Sequence, residues 1–153
     1  MKQDHPKINF GKTGVLVVNL GTPDSTSWFD IRKYLKEFLS DNRVIEVNPI
    51  IWQIILNLFI LTFRPSKTAK AYKEIWMKEE NMSPLLYYTK KQAEKISENI
   101  DNENIIIDFA MRYGNPSINS KIKKLHDEGC ENLTILPLYP QYAAATTATV
   151  CDE

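Results

Sequence analysis

The sequence predicts an α/β fold built on a parallel sheet, and three observations carry that reading. Three short apolar runs, at 15–20, 105–111 and 133–136, alternate with longer amphipathic segments. Strands separated by helices are the pattern of a parallel sheet. The runs are rich in Val, Ile and Leu without a polar residue at every second position, as expected of strands covered on both faces. Each run then ends in Gly or Pro before a helix start, so chain reversals fall where such units need them.

Taken in order, Val15-Leu16-Val17-Val18-Asn19-Leu20 is the first strand and Gly21-Thr22-Pro23-Asp24 ends it. Ser25 or Ser27 can cap the helix that follows. Over 28–39, Trp28, Ile31, Tyr34, Leu35, Phe38 and Leu39 recur at spacings of three and four, and Arg32, Lys33, Lys36 and Glu37 take the other side. Residues 41–49 read as a connector. The segment 50–63 is apolar nearly all round, with Gln53 and Asn57 one turn apart. Three readings are open for it: a buried helix, a partner interface, or an apolar lip over a ligand or a membrane. Arg64-Pro65 is expected to break that helix, because proline lacks the amide donor and its ring crowds the preceding turn. Ser66 is then expected to cap a new helix over 67–77.

Residues 78–82 have loop composition. Ser83-Pro84 places a capping hydroxyl before a proline in the first helical turn, and the helix is expected to reach about Ile100. The second strand, 105–111, delivers Arg112-Tyr113-Gly114-Asn115-Pro116 at its end. Ile118, Ile122 and Leu125 make 117–128 amphipathic, with Gly129 as its stop. Leu133-Thr134-Ile135-Leu136 reads as a buried third strand. It runs into Pro137-Leu138-Tyr139-Pro140-Gln141-Tyr142 and a small-residue run from Ala143 to Thr149. Two prolines hold Tyr139 and Tyr142 on a stiff loop. That loop is either a turn with aromatic filler or part of a ligand site, since open α/β sheets bind ligands beyond the carboxyl ends of their strands.

Bulk composition bounds the function. A chain of 153 residues suffices for one domain with a core. Nineteen basic and nineteen acidic residues leave no net charge, which gives no electrostatic case for nucleic acid. Cys130 and Cys151 form neither a metal-ligand spacing nor a disulfide framework and suit a reducing compartment. The polar tail 1–12 has no apolar core of the signal-peptide kind, and 50–63 is shorter than the ~20 residues of a bilayer span. A cytoplasmic protein is expected, with a membrane-surface contact through 50–63 left open.

The polar residues gather at strand ends. Asn19 and Thr22 follow strand one, Arg112 and Tyr113 strand two, and Tyr139 and Tyr142 strand three. In a parallel sheet these share one rim, which Arg64, Lys67 and Ser83 can join from helix starts. An aromatic, cationic, hydroxyl-rich rim suits a flat apolar ligand carrying carboxylates.

Several stretches together resemble the ferrochelatase family. The loop Leu136 to Tyr142 with Ala143 to Thr149 is similar to its signature loop. Val17-Val-Asn-Leu-Gly-Thr-Pro23 resembles its first strand and turn. Leu35-Lys-Glu-Phe-Leu-Ser-Asp41 with Arg43-Val44 resembles the helix end that follows. Arg64-Pro-Ser-Lys67, Ala71-Tyr72, Ile75-Trp76 and Ser83-Pro-Leu85 resemble its porphyrin-contact region, and Met111-Arg-Tyr-Gly-Asn-Pro116 its second strand end. The resemblance covers the chain from about Thr13 onward.

The resemblance implies a Rossmann-like, chelatase-type domain over 13–153, one of two similar halves, with the second half absent from this sequence. It implies an enzyme, a lyase that inserts ferrous iron into a porphyrin in haem biosynthesis and consumes no redox cofactor. By motif position the porphyrin-binding residues are Leu20, Arg64, Tyr72, Ser83, Arg112, Tyr113 and Tyr139, with 50–63 at an apolar pocket mouth that can touch the inner membrane face. Some relatives carry an iron–sulfur cysteine where this chain has Ala144, so no cluster is expected. The family's metal-facing histidine and acidic partner belong to the other half. His5 lies in the polar tail, and His126 reads as a solvated residue near a helix end. No catalytic or metal-binding residue is therefore expected in this chain, and it is expected to be inactive alone. Two further readings are a non-catalytic porphyrin- or haem-binding module and a shorter chelatase completed by dimerisation; the latter needs metal-binding histidines at a strand end, which are not found here.

Overall fold

The computed structural model describes residues 11–153, so His5 and most of the polar tail lie outside the described residues. Three strands, β1 (Lys12–Thr22), β2 (Ile105–Gly114) and β3 (Cys130–Pro137), form one sheet in the order β2-β1-β3. Both pairings are parallel. Val15 sits beside Ile107 and Thr134, and Thr22 beside Gly114. The carboxyl ends of all three strands therefore lie along one rim, as the alternation of runs and helices requires.

β1 is central because its run is the most continuously apolar; Leu16, Val17 and Val18 are wholly buried. Successive side chains alternate between faces. Leu16 and Val18 pack with Ala110, with Ile118 and Leu125 of α5 (Ile118–Asp127) and with Val150 of α6 (Thr149–Cys151). Asn19 points the other way and donates to the Thr89 hydroxyl of α4 (Pro84–Asn99) at 3.0 Å. The sheet is thus sandwiched between helices.

Expected caps form at Ser27 and Ser83, and Ser117 adds a further one. Ser27 accepts from the Asp30 amide at the start of α1 (Trp28–Ser40), Ser83 from Leu86 on α4, and Ser117 from Ser120 on α5. Gly129 ends the α5 turn with φ of 86°, a left-handed backbone that glycine adopts without a Cβ penalty.

Two expectations fail. Pro65 does not break a helix, and Ser66 caps nothing. α2 (Pro49–Ile55), a π-helical turn (Leu56–Ile60) and α3 (Leu61–Ile75) form one helical run of 27 residues through Pro65. The proline is accommodated because Leu61, whose carbonyl its ring would crowd, leaves the π turn with ψ of −5°. That is far from the ~−42° of a regular helix and swings the carbonyl aside. Leu56, Leu61 and Ala69 then bury against Ile31, Leu35 and Leu39 of α1.

The second failure is β3. It was expected to be buried, yet Leu133, Ile135 and Leu136 are exposed. Both β2 and β3 are edge strands, each paired only with β1 among the described residues, but α4 and α5 pack over β2, whereas α5 directs Ile118 and Leu125 into the β1–β2 side of the sheet and leaves β3 less covered.

Candidate functional site

The rim holds two groups of the expected site residues. The first lies at the end of β2. Arg112 and Tyr113 are adjacent, so their side chains leave opposite faces of the strand, yet the guanidinium folds back over the Tyr113 ring, 4.5 Å from its centroid. Its Nε donates to the Thr149 carbonyl at 2.6 Å, its Nη2 pairs with Asp41 at 2.8 Å and its Nη1 with Glu153 at 2.9 Å. The Tyr113 hydroxyl also donates to Asp41, at 2.8 Å. Burial and that carboxylate push the Tyr113 phenol well above its ordinary value. Glu37 accepts from the Gly114 amide at 3.1 Å, and burial raises its carboxyl against the pull of Gly114 and Arg112.

These groups line an open cleft of about 520 Å³ with Ser40, Asn42, Arg43 and Asp152. Arg43 and Asp152 pair across its edge. Four carboxylates thus face two guanidiniums. The shelf is not the free cationic one that the placement of residues at strand ends implied, because Arg112 is neutralised from within.

Tyr139 joins this group from the loop after β3. The loop is held against β1 by the Leu138 amide on the Val18 carbonyl at 2.8 Å. Tyr139 packs on the α5 side of the core, and burial raises its phenol while nearby Arg112 partly offsets the shift. Its hydroxyl and that of Thr22 are buried with no hydrogen-bond partner among the described residues.

The second group lies on α3. Arg64 and Tyr72 line a groove of about 510 Å³ with Lys67, Thr68, Ala71, Glu74 and Ile75. Two cations stand there against one carboxylate, so the groove is the cationic part of the site. Tyr72 meets Trp76 and Tyr34 edge to face, at 6.4 and 6.5 Å. Tyr34 connects the two groups. Its ring stacks on Phe38, which packs edge-on against Tyr113 at 5.1 Å. Its hydroxyl donates to the Gly21 carbonyl, and burial with neighbouring Tyr72, Tyr139 and Tyr113 raises it strongly.

Leu20 and Ser83 differ from these. Leu20 is half-buried near the end of β1. Ser83 is buried, and its hydroxyl accepts from the Leu86 amide as the α4 cap, so its structural task is filled.

Sequence reasoning missed Tyr34 and Asp41. Tyr34 looked like one of several core positions on α1. Asp41 carried a signal: an acid just past a helix C-terminus faces the negative end of the helix dipole and needs another reason to be there. No group of three His, Cys, Asp or Glu side chains is placed to hold a metal among the described residues.

A family model described as Ferrochelatase matches residues 12–153. The chain belongs to the ferrochelatase family. It is 56% identical over 153 residues to a ferrochelatase of Francisella tularensis subsp. tularensis (strain WY96-3418) and 54% identical over 154 residues to one of Allorhizobium ampelinum. Each alignment covers 100% of this chain and 45% of the relative. The chain thus spans somewhat under half the length of the curated ferrochelatases it matches. The parallel, helix-flanked sheet is consistent with the Rossmann-like chelatase fold.

Proposed function

We propose that this chain forms the porphyrin wall of a ferrochelatase, the lyase that inserts ferrous iron into a porphyrin in haem biosynthesis. The observation that carries the reading is the α3 groove. Arg64 and Lys67 project beside Tyr72 on the same helix that carries an exposed apolar stripe, so carboxylates and a flat apolar ring can be held together. The cations attract propionates. Tyr72 supplies an aromatic surface, and Tyr34 stiffens it from behind. Leu20, Ser83, Arg112, Tyr113 and Tyr139 complete the wall in this reading. Ferrous iron and porphyrin are the substrates. The groups that hold the metal and take the pyrrole protons belong to the part of the relatives that this chain does not span, its proposed partner. No resident cofactor is invoked.

The helical run Pro49–Ile75 is long and apolar enough to cross a membrane by length and composition. Leu56, Leu61 and Ala69 nevertheless pack on α1, while Ile50, Ile54, Leu58, Phe59 and Phe63 are exposed. A helix fixed along one side with an apolar stripe on the other fits a peripheral contact with the inner membrane face. The proposed location is the cytoplasm, at that surface.

Porphyrin titration into the chain, followed by the Soret band, tests the reading. Micromolar binding is expected, weakened about tenfold by Arg64→Ala through loss of one charge-assisted contact. No spectral shift with the unsubstituted chain overturns it. Iron insertion is expected to be negligible for the chain alone and to appear when the C-terminal part of a related ferrochelatase is co-expressed. Porphyrin binding without insertion, even then, is the result a non-catalytic binding module would give.

A further inference from the structure

Asp41 stands where the end of α1 meets the end of β2, and its geometry exceeds the needs of a helix terminus. Its carbonyl receives the Val44 and Ile45 amides at 3.0 Å and its Oδ1 the Arg43 amide at 2.8 Å, which fixes the turn. Its Oδ2 is left for Arg112 and Tyr113, each at 2.8 Å. The carboxylate and the guanidinium are both about nine-tenths buried. One oxygen therefore ties together two adjacent β2 residues whose side chains start on opposite faces of the strand.

Arginine has five N–H donors. In Arg112 three are engaged, by the Thr149 carbonyl, Asp41 and Glu153. With its charge met by two carboxylates, Arg112 has little excess cation to offer a ligand carboxylate. What it has is a planar face held over the Tyr113 ring. Of its two carboxylate partners, Asp41 is the more enclosed, and it alone also holds Tyr113.

We propose that Asp41 is a positioning residue: it locks Arg112 and Tyr113 into one rigid wall of the tetrapyrrole site, while recognition of the ligand's carboxylates falls to Arg64 and Lys67. The inference rests on the porphyrin-binding reading above. It assigns shape to the β2 end of the site and charge to the α3 groove.

The test compares the chain with Asp41→Asn, Arg112→Ala/Tyr113→Phe and the triple variant, by Soret titration with a dicarboxylate porphyrin and with its dimethyl ester. Thermal unfolding of each variant separates folding from binding. Asp41→Asn keeps the volume and removes the charge, and is expected to weaken binding of both ligands by the same factor, about tenfold. In the Arg112→Ala/Tyr113→Phe background the same substitution is expected to change nothing, because Asp41 acts through those two side chains. Three results overturn the inference: unaltered affinity in Asp41→Asn, an equal further loss in the doubly substituted background, or a loss confined to the dicarboxylate. If the unsubstituted chain binds neither porphyrin, the binding reading fails and takes this inference with it. Binding that Arg64→Ala weakens but Asp41→Asn does not touch leaves the reading standing without Asp41.

Discussion

Asp108 shows at the scale of one residue how a charge is kept inside a sheet. It interrupts the apolar run of β2, and the strand's own cation, Arg112, is taken by Asp41 and Glu153. The partners come from α5, one turn apart: Lys121 at 2.7 Å and Lys124 at 2.9 Å. Burial by itself raises the Asp108 carboxyl, but the two ammonium groups and the Phe109 amide outweigh it, and the net shift is downward from 3.8. A carboxyl depressed by folding stabilises the native state above its unfolded value, and that stability is lost as pH falls through the folded value. Acid unfolding below pH 3.8 is therefore expected to draw on Asp108. In Asp108→Asn the drop in unfolding temperature over that range should flatten, while stability at neutral pH falls by about 2 kcal/mol. An unchanged acid limb by circular dichroism contradicts the assignment. Asp108 was illegible, and Asp41 legible only as an acid in an unfavourable place, because the side chains that explain each are distant in sequence. The capping hydroxyls of Ser27 and Ser83 were legible because a cap is satisfied within three residues.

At the scale of elements, strands and caps could be read because period and punctuation are local. The run Pro49–Ile75 could not, because whether Pro65 ends a helix depends on a π turn several residues earlier, and a π turn has no sequence signature of its own. The apolar residues of this run also divide in a way that composition hides. Leu61 is 0% exposed, whereas Phe59 and Phe63 are 59% and 72% exposed. The two kinds of site respond to substitution in opposite ways. Leu61→Ala should cost about 3 kcal/mol through the cavity left against α1, with little effect on membrane affinity. Phe59→Ser with Phe63→Ser should change stability by less than about 1 kcal/mol, yet sharply reduce co-sedimentation with anionic lipid vesicles. Equal vesicle binding by the double variant and the unsubstituted chain removes the membrane contact from the proposed function, and leaves the porphyrin groove intact.

The whole molecule is a three-stranded sheet with unequal edges. β2 is flanked by α4 and α5 and buries Ala110, Met111 and Tyr113. β3 leaves Leu133, Ile135 and Leu136 exposed, and among the described residues its outer edge is unpaired. The sequence predicted a parallel sheet but not this asymmetry, because an apolar run looks the same whether or not something covers it. A flat, apolar strand edge templates pairing with another chain, and an uncovered apolar patch adds to the drive. The chain by itself is therefore expected to self-associate in a concentration-dependent way. Light scattering should show the mean mass rising with concentration. Ile135→Lys should suppress that rise, because a charge on an edge strand opposes edge-to-edge pairing. The substitution lies away from Arg64, Tyr72 and the Asp41 cluster, so porphyrin affinity per chain should be unaltered. If association persists in Ile135→Lys but disappears when Phe59 and Phe63 are replaced, the contact runs through the helical stripe instead, and β3 is an edge that the molecule tolerates.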